Sequence, residues 1–137
     1  MKQFLDIVDP IHDFIRVYST ELKVIDSPIF QRLRRIRQLS GAHLTYPSAQ
    51  HTRFEHSLGV MHIAGQASNA LKEKGFLNTD QIQEIRLAAL LHDVGHGPFS
   101  HLFEEVLQLK KKISHEDIGK KIIQESEIDR KSTRLNS

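Results

Sequence analysis

The chain has 137 residues, of which 39% are apolar, and it contains no cysteine. That length suits one domain with a modest core, and the absence of thiols excludes a disulfide framework and any thiolate metal site. The formal charge of +2 resides in the last nine residues, DRKSTRLNS, where Arg130, Lys131 and Arg134 face only Asp129, so the remainder is neutral and does not read as a nucleic-acid surface.

The N-terminus, MKQFLDIVDP, places Asp6 and Asp9 where a signal peptide would be apolar. No stretch approaches the roughly 18 apolar residues of a membrane span. A cytoplasmic protein without membrane contact is expected. The tail has neither apolar periodicity nor a helix cap, and it resembles a translated sequencing-library adapter. The expected organisation is therefore a domain portion over residues 1–128, cut short at its C-terminus, followed by a non-native segment over 129–137.

In chain order, FLDIV and FIRVY alternate around Asp9-Pro10 and predict a short hairpin over residues 4–18. Ser27-Pro28 predicts a helix start, with serine as N-cap and proline where its missing N–H costs nothing. That helix is expected to run to about Leu39, with Ile29, Leu33 and Ile36 inward and Arg32, Arg34, Arg35 and Arg37 mostly solvated. Residues 40–51 read as a loop. Thr52-Arg53-Phe54-Glu55 is a capping box opening a helix to about Lys74, with Phe54, Leu58, Met61, Ala64, Ala67 and Leu71 as its core stripe. Asn78-Thr79-Asp80 starts the next helix, with Ile82, Ile85 and Ala89 inward. Helices follow from about Phe99 to Leu109 and after Ser114, the last with Ile118 and Ile122 inward. The expected fold is all-α with one small N-terminal hairpin.

The stretch LLHDVGHGPFSH, residues 90–101, holds more than a helix end requires. Imidazole and carboxylate together bind divalent transition metals with positions left for water. His92 and Asp93 close an apolar helix, where burial is costly unless something pairs them. Adjacent helical residues project about 100° apart, so a shared ion must sit over the edge between them and take a third ligand from another helix. His56, one turn into the capped helix, is the best-placed candidate. His12, His43, His51 and His62 read as loop, surface or core histidines.

At these residues the sequence resembles the HD-domain phosphohydrolases, in particular the deoxynucleoside triphosphate triphosphohydrolase branch. DPIH at 9–12, FQRLRRIRQL at 30–39, TRFEHSLGV at 52–60 and LLHDVGHGPFSH at 90–101 match in order and approximate spacing. The resemblance implies an HD-domain helical bundle, incomplete here, that hydrolyses a deoxynucleoside triphosphate to deoxynucleoside and triphosphate. It implies His56, His92 and Asp93 as three ligands of a divalent transition metal (iron, manganese, zinc or nickel), with a fourth, an aspartate, on a later helix that no residue of this chain supplies. It implies Arg53 on the α-phosphate and Gln38 and Leu39 on the sugar. His96, His101 and His115 fall beside the phosphates, with His115 in proton transfer supported by Glu104. Asp26, Gln31 and Arg34 match a regulatory guanine-nucleotide site at a subunit interface, although Leu5 stands where the family has a phosphate-binding lysine. A homo-oligomer of the full-length protein follows from the same resemblance.

Two other readings remain open. One is a different HD nucleotide phosphohydrolase, a monophosphatase or cyclic-nucleotide phosphodiesterase. The other is a catalytically silent nucleotide- or nucleic-acid-binding module that keeps the fold. The fragment itself is expected to be inactive.

Overall fold

The computed structural model describes residues 4–125, with the side chains of residues 100–102 and 111 outside the description. Segment 129–137, expected from the sequence to be non-native, lies outside the described residues. The expected all-α architecture with one hairpin is what the structure has. Strands β1 (Phe4–Asp9) and β2 (Asp13–Tyr18) form an antiparallel pair. Helices α1 (Ser19–Ile25), α2 (Pro28–Gln31), α3 (Arg53–Glu73), α4 (Thr79–Leu91), α5 (Ser100–Lys111) and α6 (His115–Glu125) follow. No helix among the described residues is long and apolar enough to cross a membrane.

The hairpin turns where Asp9 Oδ2 accepts from the backbone N–H groups of Ile11 and His12, both at 2.9 Å. This side-chain mimicry of a turn is a characteristic use of aspartate. Alternation in β2 sends Ile15 and Val17 into the core, and both are fully buried. They join Val24, Phe30, Leu33, Phe54, Leu58, Met61 and Leu90 in one hydrophobic cluster. The Phe30 and Phe54 rings meet edge to face at 5.3 Å, an arrangement favoured by their quadrupoles.

Helices α3 and α4 begin where their capping residues place them. Glu55 Oε2 accepts from Thr52 N at 2.8 Å. Asn78 Oδ1 and Gln81 Oε1 each accept the other residue's backbone N–H at 2.9 Å. The helix expected from Ser27 to Leu39 is shorter. After α2 the chain tightens into a 3-10 turn over Arg32–Arg35, and Ile36 is extended at φ −115°, ψ 108°. The cause is non-local: the Ile36 carbonyl accepts from Arg53 N at 2.8 Å and Gln38 N donates to the His51 carbonyl at 3.2 Å. That pairing uses residues 36–38 to seat the start of α3, so they cannot continue a helix. Helix α1 has no counterpart in the expected elements.

Two core stripes also differ from expectation. The inward face of α3 past Met61 is Gly65 and Ser68, while Ala67 and Leu71 are exposed. On α4 the buried residues are Ile82, Arg86 and Leu90, whereas Ile85 is exposed. A buried ion pair explains both. Arg86 Nε and Nη2 donate to Glu21 Oε1 and Oε2 at 2.6 and 2.9 Å, and Nη2 also reaches the Arg16 carbonyl at 2.7 Å. The guanidinium lies against Gly65, where a Cβ would collide with it. Glu21 Oε2 in turn accepts from Tyr18 N, so the pair ties α4 to the junction of β2 and α1.

Removing one member of such a pair leaves an uncompensated buried charge and costs about 3–5 kcal/mol. Urea unfolding of Glu21→Ala is therefore expected to show a loss of that size. The double variant Glu21→Leu/Arg86→Met should lie much closer to wild type; equal losses in both would contradict the account.

Candidate metal centre

The turn that ends α4 carries the centre. Val94 N–H donates to the Leu91 carbonyl and His96 N–H to the Asp93 carbonyl, both at 3.1 Å, which rolls residues 92–96 into a compact turn. His92 Nδ1 lies 2.6 Å from the Ala89 carbonyl. A carbonyl only accepts, so Nδ1 carries the proton and Nε2 is left as the ligand nitrogen. Asp93 is 4% exposed, and both its oxygens are engaged. Oδ2 receives Arg53 Nη1 at 2.5 Å and lies 3.6 Å from His56 Nε2. Oδ1 lies 3.3 Å from His92 Nε2 and 3.4 Å from His96 Nε2.

His56, His92 and Asp93 each offer one ligand atom, and these atoms lie within 4.8 Å of one another. Donors bound to one ion at about 2.0–2.2 Å lie at most about 4.4 Å apart, and Asp93 oxygens stand 3.6 and 3.3 Å from His56 Nε2 and His92 Nε2, so the set could hold a divalent transition metal. Its two imidazoles and one carboxylate match the donor preference of such ions. The three residues expected to converge therefore do so. A second group, Asp93, His96 and His115, meets the same 4.8 Å criterion and shares Asp93 with the first.

His115, Glu104 and Arg53 are tied to this hub by contacts. His115 opens α6, and its Nδ1 lies 2.6 Å from Glu104 Oε1 on α5. Its ring stacks on that of His96 at 4.0 Å and 18°. Gly95 permits this approach: a Cβ there would run into the His115 carbonyl and the Gly119 backbone. Gln38 shares with His56, Glu55, His51 and Asp9 the wall of a cavity of about 730 Å³. Leu39, beside Gln38, is 50% exposed. His101 lies in the first turn of α5, with its side chain outside the description. Arg53 is 3% exposed, with its guanidinium turned onto Asp93.

Asp26, Gln31 and Arg34 lie apart from the centre. Asp26 ends α1 and is exposed. Gln31 Nε2 donates to the Ile25 carbonyl at 2.8 Å, Arg34 Nε donates to Gln31 Oε1 at 2.7 Å, and the Arg34 guanidinium sits 3.7 Å above the Phe54 ring. His62, which the sequence places on the surface or in the core, has its ring 5.0 Å from that of His12. Arg32 is the residue the sequence does not reveal: its guanidinium reaches the backbone of the His92–His96 turn.

Electrostatics favour the ligand forms of Asp93 and His56. Burial pushes the Asp93 carboxyl up, but the hydrogen bond from His96 and the electrostatic influence of neighbouring His92 and Arg53 outweigh it and hold the group well below the usual carboxylate range. Burial also draws the His56 pKa down from 6.5, with Asp93 opposing and His92 and Arg53 reinforcing the shift. An ionised carboxylate and a neutral imidazole are the forms that bind metal.

The comparisons with known proteins give the family and the fold neighbours of the chain. The family model described as "HD domain" matches residues 53–136, and the chain belongs to that family. It is 48% identical over 99 residues to deoxynucleoside triphosphate triphosphohydrolase SAMHD1 of Danio rerio, covering 70% of this chain and 16% of that protein. A crystal structure of a hypothetical protein from Aquifex aeolicus superposes with TM-score 0.82 at 44% identity, covering 96% of this chain and 34% of that one. A phosphohydrolase from Bacteroides thetaiotaomicron gives TM-score 0.81 at 36% identity, over 98% and 32% of the two chains. The chain thus spans about a sixth of the SAMHD1 relative.

The His56 shift has a measurable consequence. Its folded pKa is below the unfolded one, so folding favours the neutral ring. That contribution is complete above about pH 6.5 and is lost as pH falls from there through the folded value. Metal-free protein is expected to lose stability between about pH 7.5 and 5.5, and His56→Gln should lose less over that interval. Urea unfolding at the two pH values checks it; an equal loss in His56→Gln would contradict it.

Proposed function

We propose that the protein is a metal-dependent nucleotide phosphohydrolase that converts a deoxynucleoside triphosphate and water into deoxynucleoside and triphosphate. The observation that carries the reading is the junction at Asp93, where a three-ligand metal set meets a histidine pair held by a second carboxylate. The similarity to a deoxynucleoside triphosphate triphosphohydrolase over 70% of the chain supports the substrate class.

In this reading His56, His92 and Asp93 hold a divalent transition metal (iron, manganese, zinc or nickel) together with a fourth ligand, an aspartate, from elsewhere in the whole protein. Such an ion supplies polarisation of a phosphoryl oxygen and a lowered pKa for bound water. The chain's own residues do the rest. Glu104 holds His115 by Nδ1, which leaves Nε2 as the atom that delivers a proton to the departing 5′-oxygen. Stacking on His96 fixes the plane of that ring. Arg53, on the first turn of α3, combines a guanidinium with a helix N-terminus, a combination suited to the α-phosphate. His96 and His101 accompany the phosphates, and Gln38 and Leu39 read the sugar.

A guanine nucleotide at Asp26, Gln31 and Arg34 is the proposed regulator, since a carboxylate can accept two hydrogen bonds from a guanine edge and an arginine can grip phosphate. Leu5, in place of a lysine, makes activation weak. The whole protein is read as a cytoplasmic homo-oligomer.

The test uses full-length protein with Mn(II) and each of the four deoxynucleoside triphosphates, with products separated by chromatography. Deoxynucleoside and triphosphate in equal amounts are expected, with at least about a hundredfold loss in Asp93→Asn and His56→Ala. Release of inorganic phosphate from monophosphates, or opening of cyclic nucleotides, would move the protein to another HD chemistry. Bound metal without any hydrolysis would make it a binding module. Guanosine triphosphate should stimulate less than about tenfold, through a coupling of under about 1.4 kcal/mol; strong stimulation surviving Asp26→Ala would overturn the regulatory assignment.

A further inference from the structure

Arg32 stands at the start of the 3-10 turn after α2, outside the ligand set. Its Nη1 donates to the His96 carbonyl at 2.9 Å and its Nη2 to the Val94 carbonyl at 2.5 Å, spanning 64 and 62 residues of chain. Val94 and His96 lie three and five residues past the end of α4 and are buried, so their carbonyls need a partner other than that helix. The two carbonyls flank Gly95, which is pressed against the backbone of His115 and Gly119. The turn is thus gripped by a guanidinium from the α2 segment and by the start of α6. It also carries Asp93 and His96, whose side chains meet at 3.4 Å.

We propose that Arg32 is a positioning residue of the metal centre, a two-pronged clamp on the backbone either side of Gly95 that fixes where Asp93 and His96 point. The proposal rests on the metal-centre reading above. The planar guanidinium fork is essential to it, because a lysine ammonium on a flexible stem does not hold two carbonyls in one fixed geometry. Groups that orient metal ligands typically change metal affinity or activity by about 10- to 100-fold when removed. Arg35, exposed on the same turn, serves as the control.

The experiment compares full-length wild type with Arg32→Lys, Arg32→Ala and Arg35→Ala by two measurements that need no substrate. Amide hydrogen exchange of residues 94–97 is followed in the metal-free protein, and Mn(II) affinity is titrated by electron paramagnetic resonance. Arg32→Lys and Arg32→Ala are expected to exchange at least about tenfold faster at these amides and to bind Mn(II) about 10- to 100-fold more weakly, with Arg35→Ala like wild type. Should Arg32→Ala fail to fold, Arg32→Lys alone decides. Wild-type exchange in Arg32→Lys would overturn the clamp. Faster exchange with unchanged Mn(II) affinity would reduce it to a structural tie and overturn the positioning role. Wild-type protein that binds no Mn(II) while its turn stays protected would overturn the metal-centre reading, and the positioning role with it.

Discussion

Burying an ionised carboxylate costs several kcal/mol unless donors and positive charge surround it, and Asp93 is buried with its pKa depressed. The residues that meet this demand come from three parts of the chain. Arg53 and His56 belong to α3, His92 and His96 to the turn after α4, and His96 carries His115 and α6 with it through ring stacking. Placing those groups around one carboxylate requires α3 to start at a fixed height, which the Ile36 carbonyl and the Thr52–Glu55 capping box ensure. It also requires α6 to approach closely, which Gly95 allows.

The second buried charge, Glu21 with Arg86, has a different job. Its partners are saturated by each other, by Tyr18 N and by the Arg16 carbonyl, and it welds α4 to the hairpin end of the domain. Asp93 is met by Arg53 on one oxygen and by three imidazole nitrogens at 3.3–3.6 Å, a spacing at which an ion can be shared. That contrast sets an ion pair closed on itself apart from a carboxylate grouped with side chains that could hold a metal ion. The candidate centre lies between the long helices α3 and α4 and the α5–α6 segment that holds Glu104 and His115.

Local signals were legible in the sequence, and distant ones were not. The starts of α3 and α4 could be read because a capping box is complete within four residues. The triad of His56, His92 and Asp93 could be read because only a few side-chain types suit a metal, and the surrounding blocks resemble a known family. The shortened α2 helix was hidden because Arg53, far along the chain, takes the Ile36 carbonyl. Arg86 was hidden because periodicity treats arginine as outward, and its partner Glu21 is 65 residues away. Arg32 was hidden for the same reason, being one of four arginines in a short segment with nothing local to single it out. The bond from Arg53 to Asp93 was missed because the resemblance assigned that side chain to phosphate alone.

The central claim is that His56, His92 and Asp93 bind one transition metal ion. Anomalous diffraction from crystals of the full-length protein, recorded on either side of the absorption edge of the metal it contains, tests this most directly. The account predicts a single strong anomalous peak within about 2.0–2.3 Å of His56 Nε2, His92 Nε2 and an Asp93 oxygen. Stoichiometric metal whose anomalous peak lies elsewhere, with the three side chains bonded only to one another, would contradict it.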